Sequence, residues 1–415
     1  MNNDKPLIVF TYAPAGLGHI RVANALIESL PTDFNSVIFS PSDSAIESIH
    51  RFASLNIFAR RIMEWLQNGQ VQTIFTRFYR KYLKTHTGDL FLEFTSLIKS
   101  QKNIPKTIIV VSTHFSLSYQ LGVIKEKLEK ELNTKIYLVV QVTDDSPQYI
   151  WYTDTSDLII APSKKTAQEL QKYGSSEHLK YVPIEVLPYP INPSLIKCLS
   201  DEKIILRQKQ FDPKSNEPIN IMIPVSGAAV GMKFFFKTIE KLRQLSNRFI
   251  FYVVCRKAPF TENFIKKIEH KDYINLYVSE NYQEVVSMYN RVYQNNIISS
   301  EITKPSEQSF KALLNHNSIG GSFLFFAKPV GRQEYDNLKF LKKNHLLSSE
   351  TRGIVLPTGT TNCANIIYKF YSTGLLLDTF KKFKSDENNF EIQPTGAILF
   401  WKTVLKKFSS SNLNS

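Results

Sequence analysis

At 415 residues the chain exceeds one ordinary domain and suits two, at roughly 100–200 residues each. Its 43% hydrophobic and 21% charged content, with 29 Phe and 19 Tyr, is that of a folded protein, and the widely spaced Cys198, Cys255 and Cys363 exclude a disulfide framework and a CxxC zinc site and fit a reducing, cytoplasmic setting. The net charge of +14 favours anionic partners, but the sequence lacks zinc-finger spacing, an RNP-like aromatic strand and a basic helix followed by heptads, so nucleic acid is not expected among them.

The first apolar run, Leu7 to Tyr12, follows a polar start too short for a signal peptide. It reads as a strand, and Ala23 to Leu30 as part of a helix after it. Short β-rich runs continue at Ser36 to Phe39, Thr107 to Ser112, Lys135 to Val142 and Asp157 to Ala161. Such alternation predicts parallel strands joined by crossover helices, and near-continuous runs such as Ile108-Ile109-Val110-Val111 predict strands covered on both faces. Between Arg60 and Lys84 the cations Arg60, Arg61, Arg77, Arg80, Lys81 and Lys84 face one acid, Glu64, and interleave with Ile62, Met63, Trp65, Leu66, Ile74, Phe75, Phe78, Tyr79, Tyr82 and Leu83. That mixture suits an interfacial helix pair on an anionic membrane, or core-packed helices with a solvated basic face.

The Pro-punctuated stretch Leu187 to Pro193 interrupts the alternation and places a domain boundary near residue 190. Strands are then expected at Asn220 to Val225, Phe249 to Val254, Ile274 to Val278, Asn296 to Ser299 and Ser322 to Phe326. Two successive Rossmann-like units follow, with ligands at the loops after the carboxyl ends of their strands. Near the C-terminus Ile398, Trp401, Val404, Leu405 and Phe408 recur at helical spacing, which predicts an amphipathic helix. No apolar run approaches the roughly 18 residues of a membrane span, so the chain is expected to be soluble or peripheral.

Four loops carry residues suited to chemistry. After the first strand come Gly16, Leu17, Gly18 and His19. The glycines allow a tight strand-to-helix turn, and His19 is placed to accept a proton from a hydroxyl or, more plainly, to cap or pack against the helix. The third glycine of a dinucleotide fingerprint is missing. Ser226, Gly227 and Ala228 end the strand that opens the second unit and are small enough for a pyrophosphate to approach the backbone. Ile302-Thr303-Lys304-Pro305-Ser306-Glu307 and Gly331-Arg332-Gln333-Glu334-Tyr335-Asp336-Asn337 each follow a strand region; Gln333 and Asn337 offer both donors and acceptors, Glu307 and Glu334 acceptors, and both segments equally suit helix starts.

Gly16-x-Gly18-His19 with Ala23, Ala25 and Leu26 resembles the G-x-G-H-x-x-A-x-A-L opening of monogalactosyldiacylglycerol synthases, diacylglycerol glucosyltransferases and the lipid II-forming N-acetylglucosaminyltransferase, the alanines coming one place late. The Gly331 segment resembles the G-Q-E-x-x-N element of the same families, and the Ile302 segment their I-[ST]-K-P-G-G loop, here shortened and without the tandem glycines. Ser112-Thr113-His114 and Val142-Thr143-Asp144, with Trp151, are similar to their S-T-H and V-T-D elements. The resemblance implies the GT-B architecture: an α/β fold of two Rossmann-like domains facing each other across a cleft. It implies an acceptor-side domain over 1–190, a nucleotide-sugar domain over 191–375, and a C-terminal helix and tail over 376–415 that crosses back to the first domain.

By the same resemblance His19 is the general base, with Gly18, His114 and Asp144 on the acceptor side. Ser226, Gly227, Ala228, Lys304, Glu307, Gln333, Glu334 and Asn337 hold the donor, Glu307 at the ribose and Gln333 at the sugar. The activity implied is transfer of a sugar from a nucleotide-sugar, expected to be a UDP-sugar, to an acceptor hydroxyl, the acceptor being a lipid at an anionic membrane surface. No cofactor is implied, and no metal, since Asp144-Asp145 lacks D-x-D spacing. A sugar-nucleotide epimerase and a non-catalytic GT-B scaffold at a membrane are the alternatives.

Overall fold

The computed structural model describes residues 5–12, 17–41, 69–225, 227, 229–347, 353–357, 359–382 and 389–409. Gly16, Ser226, Ala228, the run from Arg60 to Leu66 and the tail beyond Ser409 lie outside the described residues. The chain divides into two compact units, Met1–Asn192 with Thr395–Ser415, and Pro193–Pro394.

In the first unit β1 (Leu7–Thr11), α1 (Leu17–Glu28), β2 (Ser36–Phe39), α2 (Gly69–Thr85), α3 (Leu90–Lys99), β3 (Thr107–Ser112), α4 (Phe115–Leu132), β4 (Lys135–Gln141), β5 (Leu158–Ala161), α5 (Lys164–Ser176) and β6 (Ile184–Val186) follow in order. The strands form one sheet, β2-β1-β3-β4-β5-β6, parallel throughout. Every residue of β1 and β3 is buried, as a strand covered on both faces requires. Leu7, Val9, Ile108 and Val110 join Phe94, Ile98, Leu121 and Leu128 of α3 and α4 in one core.

The second unit runs α6 (Asp201–Phe211), β7 (Ile219–Pro224), α7 (Met232–Leu245), β8 (Phe249–Arg256), α8 (Glu262–Ile268), β9 (Ile274–Ser279), α9 (Tyr282–Asn295), β10 (Ser300–Thr303), a 3-10 segment Glu307–Leu313, β11 (Phe323–Phe326), α10 (Arg332–Lys343), β12 (Gly353–Val355), α11 (Thr360–Ser372) and α12 (Leu375–Lys382). Its sheet order is β12-β11-β10-β7-β8-β9, again all parallel. Counted from its own first strand this is the 3-2-1-4-5-6 order of dinucleotide-binding folds. Ile221, Ile223, Phe251, Val253, Phe323 and Phe325 centre its core.

The chain then re-enters the first unit. Pro190 bridges Thr395 in antiparallel fashion, and at Gly396 a Cβ would lie 2.1 Å from the Pro188 carbonyl oxygen, so only glycine lets the backbones meet. The helix it opens, α13 (Gly396–Ser409), packs on β1 and α1: the Trp401 indole N–H donates to the Leu26 carbonyl at 2.8 Å and its ring meets Phe10 edge-on.

Three expectations need correction. The strand expected at Asn296 to Ser299 lies at Ser300–Thr303; polar Ser300 and Glu301 masked it, and Glu301 is buried because Lys311 neutralises it. The short strands β6 and β12 were not foreseen. The apolar stripe of α13 runs Ala397, Phe400, Trp401, Val404 and Phe408, so Ile398 faces solvent. Among the described residues no helix is long and apolar enough to cross a membrane.

Candidate active site

In open parallel sheets, ligands bind beyond the carboxyl ends of the strands where the strand order reverses direction. The first sheet reverses between β1 and β3, the second between β7 and β10. The loops after these four strands hold most of the residues singled out from the sequence.

In the first unit Thr11 and Ser112 are paired in register, and the chain after each turns into a helix. Gly18 and His19 sit in the first turn of α1, both half-buried; Gly18 is therefore helical rather than part of the turn. His19 Nδ1 lies 2.6 Å from the Thr113 carbonyl oxygen and 3.3 Å from the Thr143 hydroxyl. Thr113 also sends its own hydroxyl to the His19 carbonyl at 2.9 Å. A carbonyl can only accept, so Nδ1 carries the hydrogen and the lone pair of the neutral ring resides on Nε2. That is the tautomer of a base acting through Nε2.

His114 is the N-cap residue of α4 without a capping side-chain bond. Its buried ring meets His19 edge-to-face at 4.9 Å and stacks on Phe115. Trp151 stands 6.1 Å from His19. Asp144 is half-buried, whereas its neighbour Asp145 is spent on structure, accepting from Ser163 at 2.5 Å and Thr166 at 2.6 Å at the start of α5. Asp157 is likewise structural, accepting from the Leu138 amide and Lys125. Tyr12 follows β1, and burial pushes its phenol up to about 12, so it stays neutral in ordinary buffers.

In the second unit, the loop after β7 carries Gly227, half-buried, and reaches α7 at Gly231, whose φ of +90° belongs to glycine. A Cβ at Gly231 would stand 3.9 Å from Lys304 Cε. Lys304, after β10, is buried and its ammonium lies 3.8 Å from the Glu334 carboxylate. Glu334 also accepts from the Val330 amide, closing the start of α10, and Asn337 donates to the Pro305 carbonyl at 3.3 Å. The three loops thus converge on Lys304. Glu307 is half-buried at the head of the 3-10 segment, and Gln333 is exposed on α10.

A cation lodged against the N-terminal end of α7 is an informative arrangement. The helix already presents the positive end of its dipole there, and its first turn contains no acid. Two positive features at one strand-end loop suit an anion bound through backbone N–H groups and Lys304 together. Sequence reading missed Gly231, although its place before the helix was a signal, and it missed Thr113 and Thr143 as the groups that orient His19.

No protein-family model matches the chain, and no curated protein matches it in sequence. Solved structures do match in fold. MnaA of S. aureus in its co-structure with UDP superposes with a TM-score of 0.52 at 12% identity, 97% of each chain being covered. UDP-GlcNAc 2-epimerase of Neisseria meningitidis bound to UDP-GlcNAc gives 0.51 at 13%, over 96% of this chain and 99% of that one. Arabidopsis thaliana UGT89C1 complexed with UDP-L-rhamnose gives 0.51 at 13%, over 97% and 99%. The chain therefore has the GT-B fold, two parallel six-stranded α/β units. At these identities the likeness carries the fold alone.

Proposed function

We propose that this protein is a glycosyltransferase that moves a sugar from a nucleotide-sugar, a UDP-sugar, to an acceptor hydroxyl. The observation that carries the reading is His19, held at the switch point of the first sheet in the tautomer that leaves Nε2 as the base. In the reaction the acceptor oxygen bonds to the anomeric carbon, its proton passes to His19 Nε2, and the bond from that carbon to the diphosphate breaks, the electron pair leaving with UDP. Lys304 and the start of α7 bind that diphosphate. Glu307 takes the ribose, Gln333 and Glu334 the sugar, and Asn337 holds the Lys304 loop through Pro305. Ser226, Gly227 and Ala228 line the phosphates, and Gly18, His114 and Asp144 attend the acceptor.

UDP bound to MnaA and UDP-GlcNAc bound to the epimerase support the choice of uracil, and they keep the epimerase alternative alive. The test incubates the protein with UDP-glucose, UDP-galactose and UDP-GlcNAc, with and without diacylglycerol vesicles, and measures free UDP. Release that requires the vesicles is expected. Conversion of UDP-GlcNAc into another UDP-sugar without release would make the protein an epimerase, and no binding of any nucleotide-sugar would leave a non-catalytic scaffold.

A lipid acceptor is supported by α2. Ile74, Phe78 and Tyr82, four apart, are 53%, 73% and 54% exposed, while Leu83 turns into the core with Tyr119 and Ile150. Of the cations, Arg77 pairs with Glu177 and Lys84 with Asp154, so within α2 the electrostatic share of binding falls to Lys81 and Arg80. An exposed apolar stripe beside cations fits the headgroup boundary of an anionic bilayer. Phe78→Ala with Ile74→Ser is expected to reduce co-sedimentation with phosphatidylglycerol vesicles several-fold. Unchanged sedimentation would point to a soluble acceptor.

A further inference from the structure

The segment that carries Lys304 and Glu307 is closed at its base by charges that no ligand role explains. Glu301, on β10, is fully buried. Lys311, ten residues on and near the end of the 3-10 segment, is 4% exposed and bonds the Glu301 carboxylate and the Tyr293 phenol. The same Glu301 oxygen accepts from Tyr289 at 2.8 Å and Tyr293 at 2.6 Å. Tyr293 reaches the Ser322 hydroxyl at 2.9 Å, and the Lys311 ammonium lies 3.9 Å from the Tyr293 ring centre. Beyond the segment, the wholly buried Arg207 donates to the carbonyls of His316, Ser318 and Ile319 at 2.6 to 2.8 Å.

We propose that the buried Lys311–Glu301 pair is a staple that sets the position of Lys304 and Glu307, making both ends of the pair positioning residues for the nucleotide. The inference rests on the reading of that segment as the donor site. A short loop with no tandem glycines gains little from backbone freedom, and a pair that joins its two ends fixes the residues between them. Burying two charges gives no net stability over a well-packed apolar pair of similar volume, whereas geometric definition is what such pairs supply in the best-attested cases.

The test replaces both members so that no charge is stranded, Glu301→Leu with Lys311→Met, and compares the double variant with Lys311→Arg, which keeps the pair. Hydrogen exchange is read at the amides of Ser309 and Leu314, which bond to Ser306 and Lys311, and at those of β7 and β8. UDP affinity is measured in parallel. In the double variant, exchange is expected to quicken about tenfold or more in the segment alone and UDP affinity to fall about tenfold, both returning toward wild type in Lys311→Arg. Unchanged exchange, or an equal rise across β7 and β8, would overturn the staple. If the wild-type protein does not bind UDP, the donor-site reading fails, and the exchange pattern still decides whether the pair holds the segment.

Discussion

His19→Ala is expected to lower turnover of the nucleotide-sugar by about 10² to 10⁴-fold, the usual contribution of a general base, with UDP affinity nearly unchanged. The Thr113 carbonyl orients the ring. Because it takes the Nδ1 hydrogen at 2.6 Å, it fixes both the ring plane and the tautomer, so Nε2 carries the lone pair without a proton being moved first. Thr143, at 3.3 Å, approaches the same nitrogen from the loop after β4. Both contacts are made at Nδ1, and the proposed base is Nε2. His19→Gln separates packing from basicity, since an amide keeps polar contacts but has no lone pair of comparable basicity; it should be as inactive as the alanine variant. Turnover within a factor of about three of wild type in either variant would remove His19 from the mechanism.

Much of the architecture was legible because buried parallel strands leave a signature that tertiary context rarely overrides. Ile108-Ile109-Val110-Val111 and the run from Ile136 to Val140 have no polar face, and both are fully or largely buried strands. The strand β10 was displaced by several residues because its second residue is a glutamate, and burial of a carboxylate is decided by a lysine ten positions away, which no local pattern reveals. The stripe of α13 was misjudged at Ile398 and Leu405, whose places Ala397 and Phe400 take: Phe400 and Trp401 are adjacent, and spacing alone does not say which side of the pair faces β1.

The site was legible in its residue types more than in their partners. His19, Glu334 and Asn337 stand out by chemistry and by following strands, yet each meets a backbone group: the carbonyl of Thr113, the amide of Val330 and the carbonyl of Pro305. Backbone groups are present at every position, so sequence cannot single them out. Conversely, the polar Asp145, Asp157 and Ser163 near the same strand ends complete helix starts or bind strand amides.

Lys304→Met is expected to weaken UDP binding by about 10- to 150-fold, the equivalent of the 1.5 to 3 kcal/mol carried by a hydrogen bond to a charged group. Methionine keeps the stem that lies against Gly231, so the loss reports the ammonium rather than the packing. Two further consequences follow from the geometry. Uridine, which has no phosphate, should bind the variant and the wild type alike. Glu334, whose carboxylate lies 3.8 Å from Lys304, should then repel the diphosphate without a cation beside it; two like charges about 4 Å apart in a partly buried site interact by a few kcal/mol at most. Glu334→Gln in the Lys304→Met background is therefore expected to recover part of the lost UDP affinity. Titration calorimetry with UDP and uridine on the three proteins measures all of this. Equal losses for uridine and UDP would show that Lys304 shapes the pocket rather than meeting the phosphates, and no loss for either would move the anion site away from the start of α7.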